Sequence, residues 1–317
     1  MSKVMVLIYL GIKGQLSIAL WTEKGGITAP ETFAAGSETA FEAAVLSYLE
    51  QQGCPYVSAA AISAPGWERG GIQYMPNHGY DLDRDWLRKI LNIQRVHLVN
   101  PTVARALAIP HLGAGDMFAL SEGSVEHDDM AKCIIGTGPG LGMAILLKDD
   151  HDQWTAFSGA GGHADLTVSN DEEFDILRRL RAEFGHVSRE TAVSLGGLSR
   201  VWRCMAEIDG IEDAELPDVQ TVFTLARSGD ARALRAVQLV IKWLAKAASD
   251  MVLFSGARGG VYLSGQLVEE LLPYIDSAAF YAHFIKHATI DSFLAEVPIY
   301  VITTQEADFR GLITLFH

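Results

Sequence analysis

A strand, a glycine-rich turn and a second strand occur twice in this chain, and each copy opens a run of alternating strands and helices. The first copy is VMVLIYLGIKGQLSIALW at residues 4–21; the second is KCIIGTGPGLGMAILL at 132–147. Two apolar runs clasping glycines admit two readings. The turn is either a tight corner between buried strands or a backbone that comes close to a ligand phosphate. Glycine serves both, because it accepts positive φ and has no Cβ. The repetition constrains more than either copy alone: it implies two related halves facing each other across a cleft.

The segments that follow each hairpin set the class. FEAAVLSYLEQQG reads as a helix closed by Gly53, since glycine accepts the left-handed conformation that ends a helix. YVSAAAISAPG is a small-residue buried strand stopped by Pro-Gly. YDLDRDWLRKILN has an acidic start and basic later residues, which suits the helix dipole. RVHLVN is a short strand, and PTVARALAIPH starts a helix with Pro101 in its first turn, where its missing N–H costs nothing. In the second half EEFDILRRLRAEFG is a helix with apolar Phe174, Ile176, Leu177, Leu180 and Phe184. DARALRAVQLVIKWLAKAASDMVLF is a long helix, GGVYLSG a strand, QLVEELLPYI a helix and VPIYVITT a strand. SEGSVEHDDMAK and AEIDGIEDAELPDV read as solvated loops. Such alternation argues an α/β protein, divided at about Pro110 into domains 1–110 and 111–317.

Composition excludes several classes. The 317 residues are 49% hydrophobic and 20% charged, a globular balance with length for two cores. A net charge of −14 repels nucleic acid and anionic membrane, so neither is an expected partner. No run approaches the roughly 20 apolar residues that span a bilayer, and MSKVMVLIYL is too short for a secretory leader. The three cysteines, Cys54, Cys133 and Cys204, are scattered and odd in number, which argues against a disulfide framework or zinc ribbon. The expectation is a cytoplasmic protein with reduced thiols.

Motifs along nearly the whole chain then carry a resemblance. NHGYDL (77–82), LVNPTVARALAIP (98–110), GTGPGLGMA (136–144), SGAGGHADL (158–166), RAEFGHVSRE (181–190), GGVYLSGQL (259–267) and VPIYVI (297–302) stand in register. In them the chain resembles the bacterial ATP-dependent glucokinases, of the hexokinase and actin-like ATPase superfamily. The resemblance implies a two-domain actin-like (ribonuclease H-like) α/β fold with an interdomain cleft. It also implies ATP and magnesium as cofactors, glucose or another hexose as ligand, and a place in glycolysis. Gly136, Gly138 and Gly140 then match a nucleotide-phosphate loop, and Gly265 lies on the adenosine side. Asn100, His163 and Glu190 match sugar-contacting positions. On the residues alone, His163 reads equally as a structural histidine and Glu190 as a helix-start charge.

The departures from the family are as informative as the matches. Where the family places its Asn-Asp pair, with Asp as catalytic base, this chain has Asn100-Pro101. Proline has neither a side-chain proton acceptor nor a backbone N–H, so no catalytic residue is assigned. Ala160 stands where the family's Gly-Glu-Gly-Gly-His carries its Glu. The family's Asp-x-Gly-Gly-Thr-Asn loop becomes YLGIKGQ, which puts Tyr9 or Leu10 in place of the Asp on the magnesium side. Lys13 in that loop is either a point charge for phosphate or a solvated turn lysine. Pro139 replaces a threonine in the second hairpin, and Gln266 replaces a glycine beside Gly265. No metal ligand is assigned, and nucleotide binding is expected to be weak or absent. The shortness of the ending GLITLFH against the family's final helix implies a reduced return of the C-terminus to the first domain.

Other chemistries find little support. His283 and His287 stand at i and i+4, a metal-compatible spacing without a third ligand, so a plain helix surface is the reading. SLGGLS is not a nucleophile elbow, and ARGGVYLSG has its glycines before the strand rather than after it. The expected function is a glucokinase-family protein with impaired catalysis that binds sugar as a sensor or regulatory partner. The alternatives are a working hexose kinase using Asp81, Asp83 or Asp165, and a structural subunit that forms a homodimer or pairs with an active relative.

Overall fold

The computed structural model describes residues 3–11, 14–123, 129–211 and 214–316. Residues up to Leu112, together with the segment from Thr304 onward, form one compact unit; Gly113–Thr303 form a second.

The first unit contains β1 (Val4–Leu10), β2 (Gln15–Thr22), β3 (Gly26–Ile27), β4 (Glu31–Ala34), α1 (Glu38–Gln51) and β5 (Val57–Ser63). These are followed by β6 (Trp67–Arg69), β7 (Ile72–Tyr74), β8 (Leu82–Asp83), α2 (Arg84–Leu91), β9 (Arg95–Val99) and α3 (Pro101–Ala108). Its main sheet runs β3-β2-β1-β5-β9, with β4 also pairing β2. The β1–β2 hairpin is antiparallel, while β5 pairs β1 and β9 in parallel. Central strands covered on both faces must be apolar throughout, which is why β1 reads VMVLIYL without alternation. Side chains still divide by parity. Val6, Ile8 and Leu10 pack with Phe41, Val45 and Tyr48 of α1, while Leu7 joins Ala61 and Ala104 on the other side. Asp83 caps α2, its Oδ1 accepting from the amides of Asp85 and Trp86 at 2.6 and 3.3 Å. Pro110 follows α3 in a 3₁₀ turn, Ile109–His111.

The second unit contains β10 (Met117–Ser121), β11 (Lys132–Thr137), β12 (Leu141–Lys148), β13 (Trp154–Gly159), α4 (Asp171–Phe184) and α5 (Arg189–Ala192). It continues with α6 (Leu195–Ile208), α7 (Val219–Arg227), α8 (Ala231–Ser255), β14 (Val261–Ser264), α9 (Gln266–Leu271), α10 (Ser277–Ile285), α11 (Asp291–Ala295) and β15 (Ile299–Ile302). Its sheet runs β10-β15-β14-β11-β12-β13. As in the first unit, an antiparallel hairpin (β11–β12) has its first strand paired in parallel with a later one, β14. The core is built around α8, whose Val240, Leu244, Ala248 and Val252 are buried among α6, α7 and α10. Cys133 and Cys204 are buried there, and burial pushes their thiols up to about 12 and about 11. Two expectations are corrected here. α6 carries residues 195–208, so the start of AEIDGIEDAELPDV is helical rather than loop. SEGSVEHDDMAK begins on β10 and ends on β11, with residues 124–128 outside the described set. β10 and β13, at the two edges of the sheet, were not anticipated.

The division at Pro110 with everything later in one domain is also corrected. A last helix, α12 (Ala307–Thr314), belongs to the first unit. It is short, yet its return to the first unit is complete. Phe309 and Leu312 pack with Leu7, Ala19, Ala61 and Ala104. The Arg105 Nε donates to Asp308 Oδ2 at 2.9 Å, with Asp308 only 7% exposed. Gly311 permits the approach: a Cβ there would lie 1.7 Å from the Ala104 carbonyl oxygen. Burying apolar surface with one buried ion pair holds a helix of only two turns. Gly311→Ala should therefore force α12 away from α3 and cost about 1–3 kcal/mol, the usual penalty of overpacking. Thermal unfolding followed by circular dichroism would show the loss, and an unchanged midpoint would contradict this packing.

Candidate functional site

The second hairpin lies in the second unit, with Gly136 opposite Gly142 and Thr137 opposite Leu141. Its turn closes through Gly138 N–H donating to Gly140 O at 3.0 Å. Pro139 sits between these glycines and contributes no donor. Thr137 fastens the hairpin to its neighbour. Its hydroxyl donates to the Ser264 carbonyl and accepts from the Val268 amide, both at 2.9 Å. Gly265 accompanies that contact with φ +98°, and a Cβ on it would stand 2.2 Å from Thr137 O. The glycine on the expected adenosine side is thus required by the fold itself.

The segment after the hairpin brings two of the expected sugar contacts alongside it. His163 ends a 3₁₀ turn, Gly161–His163, that presses on β12: a Cβ on Gly162 would lie 2.0 Å from Leu141 O. The His163 side chain is exposed, and among the described residues its ring has no hydrogen-bond partner. Its carbonyl meets His186 Nε2 at 3.1 Å, and His186 Nδ1 lies 3.3 Å from Asp165. Glu190 lies in α5, whose start is capped by Ser188 and Thr191. The Glu190 carboxylate does not serve its own helix. Oε2 accepts from the Leu141 amide at 2.8 Å, in the hairpin. The 3₁₀ turn and α5 are joined by Arg189 N–H donating to Ala164 O at 2.9 Å. Leu195 N–H then returns to Gly138 O at 2.8 Å. Gly138, Gly140, His163 and Glu190 thus belong to one locally bonded assembly, with Ala160 immediately before the 3₁₀ turn.

Asn100 and Pro101 are in the first unit. Asn100 is the N-cap of α3: its Oδ1 accepts from the Val103 amide at 2.8 Å. Pro101 follows at the start of the helix, so the reading as an N1 residue holds. In the first hairpin Leu10 is fully buried, and Tyr9 is partly buried with its ring against Gly11. Lys13 lies outside the described residues. A contact that the sequence reading missed links the NHGYDL motif to this hairpin: His78 Nε2 lies 3.1 Å from Gly11 O. The same motif anchors Tyr80, whose hydroxyl donates to Ala35 O at 2.8 Å and is pushed up to about 12 by burial. A motif with His and Tyr beside glycine was the available signal, although the partner could not be read from it.

Among the described residues no group of three or more His, Cys, Asp and Glu side chains could hold a metal ion. The His283/His287 spacing is not helical in fact. α10 ends at Ile285, and His287 turns back so that its Nε2 meets Ser249 Oγ at 2.8 Å.

The family model for glucokinase matches residues 13–317. The chain belongs to the glucokinase family. It is 32% identical to the glucokinase of Chromobacterium violaceum over 86% of this chain and 77% of that protein. Among solved structures it is similar to a glucokinase from an Antarctic psychrotroph, with TM-score 0.86 and 22% identity over 99% of both chains. It is also similar to the glucokinase of Balamuthia mandrillaris in complex with glucose, with TM-score 0.83 and 18% identity over 100% of this chain and 94% of the other. The fold is the actin-like ATPase fold of this family.

Two measurements test this geometry. Thr137→Val removes a buried hydroxyl that makes two hydrogen bonds and should cost about 1–3 kcal/mol through the amide and carbonyl it orphans; an unchanged urea midpoint would contradict the fastening. The second concerns pH. His97, His283 and His287 are all held below the ordinary imidazole range, chiefly by burial. Nearby cations add to it: Arg95 and Arg84 at His97, Lys242, Lys246 and Lys286 at His283, and Lys246 at His287. The unfolded rings titrate near 6.5, so the unfolded chain binds more protons just below that pH, and stability falls as pH drops through it. The unfolding midpoint should be lower at pH 5.5 than at 7.5, and this histidine contribution should shrink when the three are replaced by Gln. An identical pH profile in the triple variant would contradict the assignment.

Proposed function

We propose that this chain is a hexose-binding member of the glucokinase family that has lost phosphoryl transfer and acts as a sensor or regulatory partner. The observation that carries the reading is Pro101 at the first turn of α3. The resemblance puts the family's catalytic base at that position, and a proline ring can neither accept a proton nor donate an amide hydrogen. Ala160 removes the carboxylate expected beside the sugar, and Tyr9 or Leu10 stands in place of the Asp on the magnesium side. Phosphoryl transfer works by positioning and charge neutralisation, so these losses fall on one cooperating set. By the resemblance, Asn100 in the first unit and His163 and Glu190 in the second each keep a hydrogen-bonding group at a sugar-contacting position, and glucose is the ligand in the Balamuthia structure.

The carboxylates that a working kinase would have to recruit already have other partners. Asp81 Oδ1 accepts from the Met75 amide at 2.8 Å, and Asp83 caps α2. Asp165 faces His186. These assignments favour binding without turnover over substituted catalysis.

A missing base alone would lower turnover by roughly 10²–10⁴ and leave it measurable. Groups that act as a unit fail together. The expected result is therefore no glucose-dependent ADP release from the natural protein, from Pro101→Asp, or from Pro101→Asp combined with Ala160→Glu. Each variant is to be checked for folding by circular dichroism in a coupled assay with glucose, ATP and magnesium. Turnover by the natural protein, or robust rescue by Pro101→Asp alone, would establish a working kinase instead.

A further inference from the structure

Among its helices the second unit holds a cavity of about 530 Å³, lined by residues at the start of α4 and on α6, α8 and α10. Its floor is apolar, made by Met205, Leu234 and Leu239; its wall is polar, with Gln238 and Lys242 of α8 and His283 of α10. That volume suits a small organic molecule rather than a bare ion. The acidic groups of the wall are already committed. Glu173 is 1% exposed, and its Oε1 accepts from Asn170 Nδ2 at 2.9 Å and from Lys242. Its Oε2 accepts from the Ser169 amide at 2.9 Å and from Trp243 Nε1 at 3.2 Å. Glu172 is paired with Arg235, which also reaches Asp209 at 3.4 Å.

The lysines are not balanced in the same way. Lys242 and Lys246 stand one turn apart on α8, and Lys246 Nζ donates to the Lys286 carbonyl at 2.8 Å, directly after α10. Among the described residues neither Lys246 nor Lys286 forms an ion pair. The acids near Lys246 are Asp250 and Asp291, which offset part of its charge. Asp250 is paired with Arg189 at 2.7 Å, and Asp291 accepts the His287 amide at 2.6 Å. His283 stands among these groups with no hydrogen-bond partner for its ring among the described residues. Burial, then Lys242, Lys246 and Lys286, hold it below the ordinary imidazole range, with Glu173 opposing them. A chain of net charge −14 thus concentrates positive charge around a neutral imidazole at the wall of one cavity.

We infer that this cavity binds a small phosphate or sulfate monoester, its oxyanion held by Lys242, Lys246, Lys286 and His283 and its organic body laid over Met205, Leu234 and Leu239. An ammonium group carries three donors. Lys242 spends two, on Ser169 Oγ at 3.0 Å and on Glu173, while Lys246 spends one and Lys286 none among the described residues. Donors converging from two helices as separate point charges suit a tetrahedral head, which offers acceptor oxygens in several directions. A planar carboxylate is matched best by the fork of an arginine, and the guanidinium in this wall, Arg235, is occupied by Glu172 and Asp209. An oxyanion beside His283 also favours the charged imidazolium, which adds a further donor. The cavity shares no residue with the sugar-contacting set, so the inference depends neither on hexose binding nor on loss of turnover.

The probes are phenyl phosphate and phenyl sulfate, titrated into the full chain by calorimetry at low salt, with inorganic phosphate and phenol as head-only and body-only comparisons. The natural protein is expected to bind at least one ester saturably, roughly tenfold or more tighter than either comparison; the tighter ester identifies the head. Lys286→Glu reverses one free charge on an exposed side chain, and Lys89→Glu makes the same change on α2 in the first unit as a control. Lys286→Glu should lose roughly tenfold or more in affinity, whereas Lys89→Glu should keep the natural value. Side-chain NMR of His283 gives a second readout: saturation with the ester should raise its pKa by about 1 unit. The inference is overturned if neither ester binds, if inorganic phosphate or phenol binds as tightly, if the two variants lose affinity equally, or if the His283 titration does not move. Should Lys286→Glu shift the unfolding midpoint, Lys286→Gln takes its place, and the His283 titration of the natural protein decides without any variant.

Discussion

The hydrogen bond from the Leu141 amide to Glu190 ties a glycine turn to the segment that follows it, and the second unit's site is organised around that tie. Leu195 bonds Gly138 from the same segment, and Ala164 bonds Arg189 beside Glu190. One short stretch, 188–195, therefore sets where the turn, the His163 loop and the start of α6 lie relative to one another. Glycines at 140 and 162 let these pieces approach within a Cβ's radius. A larger residue at either place would separate the carboxylate or the loop from the turn before any ligand arrived.

The first unit shows the same division between what the fold needs and what chemistry needs. α3 starts correctly because Asn100 caps it and Pro101 fits an initial turn, while α12 supports it through Gly311, Phe309 and the Arg105–Asp308 pair. None of that depends on a proton acceptor at position 101. Burial of apolar side chains sustains the architecture, whereas catalysis rests on a handful of polar groups, and those groups can be lost one by one without unfolding the chain. Sharing a fold therefore does not by itself transmit a reaction, and the proposed loss of phosphoryl transfer is compatible with an intact family fold.

Much of the fold was legible because its signals are local. The two apolar–glycine–apolar runs became the β1–β2 and β11–β12 hairpins, and Pro101 became a helix start as its missing N–H requires. The misses have separate causes. α12 was judged by its length, but its stability comes from burying Phe309 and Leu312 under β1 and β5, a contact made at very long sequence separation. α6 opens with LGGLS, whose two glycines weaken a helical signal, yet Ser194 caps it and Leu198, Val201 and Met205 are buried. At the site, the family resemblance puts Glu190 among sugar contacts, whereas nothing in the local pattern signals that its carboxylate holds a backbone amide. His287 looked helical by spacing, and only the end of α10 at Ile285 shows that it is not.

The proposal that hexose binding outlives the nucleotide chemistry is tested most directly by calorimetry on the natural protein. Glucose, ATP-magnesium and both together would be titrated into the same preparation. Loss of charged hydrogen bonds worth about 1.5–3 kcal/mol each sets glucose affinity one to a few decades below that of an intact site. The expected outcome is a weak but saturable glucose isotherm that ATP-magnesium leaves unchanged, with no isotherm for ATP-magnesium itself. A magnesium-dependent ATP isotherm in the low-micromolar range would contradict the account.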